Sequence, residues 1–181
     1  WIKQCVHWKD IFSIPNEKFV QEHIARNEIE LYAFAHLLGE QLPHNATVIT
    51  DAGLEELIIP SAVRYNDGHR CLFPAAQGAM GYAIPAVLGA HFAGRENIVT
   101  VVGDGSIMMN VQELYIIAAH GIPAKIFVIN NNMYAVIRKR QKDLFRQRTI
   151  GNDPSDGLAA PCFSKLADVV DMKYCCISNY E

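Results

Sequence analysis

The sequence predicts an α/β fold in which a parallel sheet is flanked by helices. Two observations carry that expectation. Runs rich in β-branched residues recur at Thr47–Thr50 (TVIT), Asn97–Val102 (NIVTVV) and Ala124–Ile129 (AKIFVI), as in strands buried on both faces. Between them lie segments with helical spacing of apolar residues, joined by short connections. Strands that alternate with helices build βαβ units, and their crossovers are right-handed.

Taken in order, Trp1 to Ile11 reads as a short helix. The stretch after it, broken by Pro15, reads as a linker, so 1–26 is expected to be a tail and 27–181 the domain proper. Glu28 to Leu42 carries Ile29, Leu31, Tyr32, Phe34, Ala35, Leu37 and Leu38 at helical spacing, and Pro43 ends it. The first strand leads into Asp51-Ala52-Gly53 and then a helix to about Arg64. Ala79 to Phe92 reads as a helix rich in small residues, which permits close approach to a sheet or a ligand. Val111 to His120 and Met133 to Leu144 read as further helices. Arg146 to Pro161, with Gly151, Pro154 and Gly157, reads as a mobile loop of the kind that closes over sites. The chain does not begin with Met and ends soon after a strand-like run, which suggests a piece of a longer protein.

Composition narrows the function. Of 181 residues, 50% are hydrophobic and 19% charged, enough apolar material for a core and too much for a disordered chain. The net charge of −3 and a pI near 6.2 lack the basic balance usual for a duplex-binding domain, so nothing demands nucleic acid. Five cysteines without a CxxC pair argue for free thiols in a reducing, cytoplasmic setting. No apolar stretch reaches the length of a membrane span and no signal peptide opens the chain. The seven histidines fall in no catalytic motif.

The chemistry lies at two strand ends. NIVTVV runs into Gly103-Asp104-Gly105-Ser106, and AKIFVI runs into Asn130-Asn131-Asn132. In a parallel sheet both tips lie on the carboxyl edge, where ligands of open α/β folds bind. Asp104 and Asn131 would offer two hard oxygen ligands, which with phosphate oxygens and water suit Mg²⁺. The helix after Ser106 would turn its free N–H groups toward a phosphate. Either motif alone is an ordinary turn. Together, with residues 106–129 between Gly105 and Asn130, they form GDG-x24-NN.

That pattern resembles the signature of enzymes that use thiamine diphosphate (ThDP). GDGSIMMNVQEL (103–114), IFVINNNMYAVIR (126–138) and QGAMGYAIPAVLGA (77–90) are similar to the carboxyl-terminal ThDP-binding domain of acetolactate synthase large subunits. The opening Trp1-Ile2…Trp8-Lys9 resembles the tail leading out of that family's middle domain. The resemblance implies the ThDP-binding fold, as the third domain of a three-domain enzyme. It implies Mg²⁺ held by the side chains of Asp104 and Asn131 and the backbone carbonyl of Met133. It implies diphosphate contacts at Gly105 and Ser106, and an aminopyrimidine held by backbone groups near Gly78 and Met80. The Met80 side chain would be the apolar wedge that bends the cofactor, against simple helix packing as its ordinary role. Gly53, Tyr134 and Val136 complete the implied cofactor set.

The implied reaction is decarboxylation of a 2-oxo acid such as pyruvate, with the remaining carbon unit passed to an acceptor. A simple 2-oxo acid decarboxylase or a related lyase is the alternative. A non-catalytic Rossmann-like nucleotide module is disfavoured by the lack of GxGxxG and of a P-loop. The resemblance further implies branched-chain amino-acid biosynthesis, a homodimer or homotetramer, and an activating glutamate from the amino-terminal domain of a partner subunit. None of Glu17, Glu28, Glu55 and Glu113 matches that glutamate, so this chain alone is expected to be inactive or weakly active. Two departures stand out. Leu54-Glu55-Glu56 follow Asp51-Ala52-Gly53 where relatives carry a polar pair aimed at the diphosphate, and a carboxylate there is unfavourable unless turned away or protonated. Ala135 stands where relatives usually have Gly. The basic run Arg138–Lys142 reads either as a solvated helix face or as a place where Arg138 or Arg140 attracts a substrate carboxylate.

Overall fold

The computed structural model describes residues 1–11 and 17–180. The first half runs α1 (Ile2–Ile11), α2 (Glu17–Ala25), α3 (Leu31–Gln41), β1 (Thr47–Thr50), α4 (Leu54–Ala62), β2 (Arg70–Leu72) and α5 (Ala83–Phe92). The second half runs β3 (Ile98–Gly103), α6 (Asp104–Ile107), a 3₁₀ turn (Met108–Asn110), α7 (Glu113–Ala119), β4 (Ala124–Ile129), α8 (Ala135–Leu144), a second 3₁₀ turn (Pro154–Asp156) and α9 (Phe163–Val169).

The four strands form one parallel sheet in the order β2-β1-β3-β4. Its two central strands are the β-branched runs, and every residue of Thr47–Thr50 and Ile98–Val102 is buried. Each face carries its own core. Ile49, Ile98 and Val102 meet α5 and α7 through Ile84, Val87, Leu114 and Ile117. Val48, Val99 and Val101 meet α3 and α4 through Ala35, Leu38, Ile58 and Ile59. Alternate side chains of one strand thus enter opposite layers, which explains why the strands read as unbroken apolar runs. Burying each such Ile or Val side chain stabilises the fold by about 1.5–3 kcal/mol. Phe34 of α3 meets Phe127 of β4 edge-on at 5.4 Å between ring centres, extending the second layer to the sheet edge.

The structure departs from the sequence reading in several places. The stretch read as a linker contains α2, whose Val20 is fully buried. Phe19 of α2 meets Tyr32 of α3 edge-on at 6.3 Å. Residues 12–16 of that stretch, Pro15 included, lie outside the described residues. Helix α3 begins at Leu31 rather than near Glu28, because the Glu30 side chain accepts the N–H groups of Tyr32 and Ala33 and caps it there. β2 is a short edge strand with no periodic pattern to announce it. The strand-like run before Glu181 pairs with no strand among the described residues. Tyr180 instead returns to the start of α3, where its N–H donates to Asn27 Oδ1 (2.9 Å). Among the described residues, no helix is long and apolar enough to cross a membrane.

Candidate functional site

The register of the sheet brings the two chemical motifs together. Gly103 pairs with Ile129, so β3 and β4 end level. The next residues carry the oxygens. Asp104 opens α6 and is 4% exposed. Its Oδ1 accepts the Gly105 N–H (2.7 Å) and its Oδ2 accepts the Asn132 N–H (2.6 Å), which ties one tip to the other. Asn131 Oδ1 accepts the Met133 N–H (3.0 Å), folding the Asn cluster into a turn. Each of these oxygens retains lone-pair capacity. The Met133 carbonyl accepts no backbone hydrogen bond among the described residues. No group of three His, Cys, Asp or Glu there could hold a metal ion. A cation at these tips would therefore rest on a carboxylate, an amide oxygen and a carbonyl, a donor set for Mg²⁺ rather than Zn²⁺.

A cavity of about 450 Å³ opens beside the tips. All ten positions named from the sequence as cofactor contacts line it, Gly53, Gly78, Met80, Tyr134 and Val136 among them. Ser106 is 5% exposed and its hydroxyl has no partner among the described residues. A free hydroxyl, a free carbonyl and a fixed carboxylate at one end of a largely apolar cavity fit a phosphate-bearing, metal-bound ligand. Gly105 has a packing duty as well. Its N–H is already taken by Asp104, and a Cβ there would collide with the Tyr134 ring, so glycine is needed for close packing.

The Met80 side of the cavity is held by a residue whose role the sequence did not reveal. Asp51, at the end of β1, is fully buried. Its carboxylate accepts N–H groups from Ala52 (2.8 Å), Gly81 (3.0 Å) and Ala83 (2.7 Å). These bonds stop α5 at Ala83 and draw residues 78–82 into a turn, where the sequence pattern predicted helix from Ala79. Gly78 (φ 55°) and Gly81 (φ 84°) supply the left-handed conformations the turn requires. Asn110 Nδ2 donates to the Gly81 carbonyl (2.8 Å) from the other side. Gly81→Ala is expected to destabilise by roughly 2 kcal/mol or more. It combines a positive φ with a Cβ placed 2.6 Å from Met109 Cβ. A denaturant melt of this variant against wild type measures the loss.

Glu55 also lines the cavity, at its Asp104 end. Burial pushes its carboxyl above the usual carboxylate range; its own backbone N–H opposes this, while Asp51 and Asp104 add to it. The unfolded chain ionises Glu55 first as pH rises, so folding loses stability from the ordinary carboxylate range up to the raised value. Glu55→Gln is therefore expected to melt like wild type in acid and above it at pH 8, with the gap widening as pH rises.

Residues 51–181 match the family described as thiamine pyrophosphate enzyme, C-terminal TPP binding domain. The chain belongs to that family. Curated relatives agree. The acetolactate synthase large subunit of Parasynechococcus marenigrum is 31% identical over 169 residues, 92% of this chain and 26% of the relative. The protein of the same name from Lactococcus lactis subsp. lactis is 29% identical over 144 residues, 79% of this chain and 24% of the relative. Benzoylformate decarboxylase from Polynucleobacter necessarius shares the fold, with a TM-score of 0.71 at 20% identity over 83% of this chain and 28% of that one. The chain thus spans about a quarter of the length of these proteins. Membership makes it a thiamine pyrophosphate (ThDP)-binding enzyme domain and sets aside the non-catalytic Rossmann-like module.

Two expectations about the rim of the TPP-binding domain change. Within residues 146–161, Ile150 and Asn152 are tied to Gln141 of α8 and to Tyr134 just before it. Asn152 is fully buried, its carbonyl accepts the Tyr134 N–H (2.9 Å), and its Nδ2 donates to Gln141 Oε1 (2.6 Å). Asp153 caps the second 3₁₀ turn in a reciprocal box with Asp156. Its carboxyl is held below the usual range by the Ser155 side-chain and backbone donors, with Arg138 adding to this. Arg138 is accordingly committed, with Nε 2.8 Å from Asp153 Oδ2. Lys139 pairs with Asp143 (2.7 Å) and Arg140 is exposed. Neither arginine lines the cavity: Arg138 faces Asp153 and Arg140 faces solvent. Asn152 had no sequence signal beyond a Gly-Asn-Asp-Pro turn; its role arises from tertiary contacts.

Proposed function

We propose that this domain holds ThDP through Mg²⁺ within an enzyme that decarboxylates a pyruvate-like 2-oxo acid and passes the remaining carbon unit to an acceptor, as in acetolactate synthase. The reading rests on one observation above all: the Asp104 carboxylate, the Asn131 amide oxygen and the unpaired Met133 carbonyl stand at one end of the cavity, beside the unpartnered Ser106 hydroxyl. When bound, the cofactor supplies the electron sink for decarboxylation. The chain's own residues bind and orient. Asp104, Asn131 and Met133 hold the metal. Ser106 donates to the diphosphate, and Gly105 lets it approach. The turn fixed by Asp51 presents the backbone of Gly78 and Met80 to the aminopyrimidine, with the Met80 side chain beneath. Gly53, Tyr134 and Val136 wall the cavity and exclude water.

The activating glutamate in this proposal comes from the amino-terminal domain of a partner subunit, in a homodimer or homotetramer. Glu28 and Glu113 do not line the cavity, and Glu55 sits at the metal end rather than at Met80. The chain alone should therefore turn over pyruvate weakly or not at all, and robust consumption by it would contradict this part. The five free thiols favour a reducing, cytoplasmic compartment, and the names of the relatives favour branched-chain amino-acid biosynthesis. Calorimetry tests the binding claim. ThDP with Mg²⁺ should give a saturable isotherm, whereas NAD and ATP should not; heat from either nucleotide with none from ThDP would overturn it.

A further inference from the structure

One ionisable side chain in the cavity has no part in the chemistry above. Glu55 is the second residue of α4 and is 8% exposed. Its side chain turns back over the start of its own helix, toward Gly53. The carboxyl lies against two glycines. A Cβ on Gly53 would stand 2.6 Å from Oε2, and one on Gly103 would stand 3.1 Å from Oε1. No cation pairs with it among the described residues, and its charged neighbours are Asp51 and Asp104. The dipole of the helix N-terminus offsets only part of what burial, Asp51 and Asp104 impose on a charge at this place. The same cavity end holds Gly105, Ser106 and Asp104. An acidic side chain thus stands beside the place assigned to the diphosphate.

We propose that Glu55 is a resident anion of the diphosphate subsite, which an incoming diphosphate must displace, and that it sets the affinity of this domain for diphosphate-bearing ligands. The inference rests on the cofactor reading above. Two anionic groups a few ångströms apart in a cavity with low-dielectric walls repel strongly. Tight binding therefore requires the carboxylate to leave the two glycines. The cost falls on ligands that carry the diphosphate and spares those that lack it. Glu55 in this role is a specificity-determining residue, with no part in bond making.

Calorimetry at pH 8 and fixed ionic strength, on wild type and Glu55→Gln, tests this with three probes: Mg²⁺ with inorganic diphosphate, Mg²⁺ with ThDP, and thiamine. Glutamine keeps the shape and removes the charge. The variant is expected to bind both diphosphate probes about tenfold more tightly, the factor given by about 1.4 kcal/mol, and thiamine unchanged. Circular dichroism checks its fold, and Glu55→Ser carries the same expectation should the glutamine variant fail to fold. Equal or weaker binding of the diphosphate probes by a folded variant would overturn the proposal while leaving the cofactor reading standing. An equal gain for thiamine would also overturn it, since the effect would then not concern the diphosphate. If neither wild type nor variant binds any probe, the cofactor reading fails and this inference fails with it.

Discussion

Replacing Asp51 with alanine should lower the stability of the domain by about 4 kcal/mol, the upper range for a single substitution. The carboxylate is fully buried and satisfies three backbone N–H groups, those of Ala52, Gly81 and Ala83. Each bond to a charged acceptor contributes about 1.5–3 kcal/mol, and each N–H left bare in the interior carries its own desolvation penalty. The three losses overlap because the donors share one acceptor, so they do not add fully. The structural consequence is specific. Without Asp51 only the Asn110 bond to the Gly81 carbonyl still holds the turn, and residues 79–82 are expected to drift toward helix, carrying Met80 out of its present position. Ligand affinity should thus fall together with stability. A thermal melt should show a drop of about 10 °C for a chain of this size. Asp51→Asn, which keeps one acceptor oxygen, should lie between the two.

Asp104→Ala should weaken Mg²⁺-dependent ThDP binding by on the order of 100-fold or more, since even indirect partners of a metal are worth about 10–100-fold. Asp104 has two duties. Its oxygens hold the Gly105 and Asn132 N–H groups and so fix the tips of β3 and β4 relative to each other. They also present the single carboxylate of the proposed metal set. Asp104→Asn separates the duties. The amide retains an acceptor and nearly the same volume, so stability should suffer less than in the alanine variant. The formal charge that draws a divalent cation is gone from both, so both should lose metal-dependent binding. A variant that loses stability but keeps the metal would show that Asp104 only braces the loop.

How much of this was legible in the sequence depends on the range of the forces involved. β1 and β3 were readable because strands covered on both faces need continuous apolar side chains; Ala124–Ile129 came out with its observed bounds, but β4 is a half-buried edge strand with Lys125 exposed, not the strand buried on both faces that its apolar run predicted. β2 was not, because Arg70–Leu72 is a half-covered edge whose pairing is dictated by β1. The start of α5 was misplaced because Ala79 to Tyr82 are acceptable helix residues, and only a carboxylate some thirty residues away makes them turn. α2 was missed because its buried contact is with α3, which local periodicity does not report. The GDG and Asn motifs were legible because their spacing is set by one βαβ crossover. The duties of Asp51 and Asn152 were not, since each serves backbone groups distant in sequence, and no residue type announces that. Glu55 was visible as an anomaly, and the structure supplied its position over Gly53 and Gly103.

The claim on which the rest depends is that Asp104, Asn131 and Met133 hold a divalent cation only together with a diphosphate. Mn²⁺ can stand in for Mg²⁺ and be followed by electron paramagnetic resonance as it binds. In the presence of ThDP, wild type should take up a single tightly bound Mn²⁺, with weak uptake when ThDP is left out. Asp104→Ala and Asn131→Ala should each abolish the tight ion. Equal Mn²⁺ uptake by wild type and both variants, or ThDP binding that is indifferent to the presence of any divalent cation, would contradict the account.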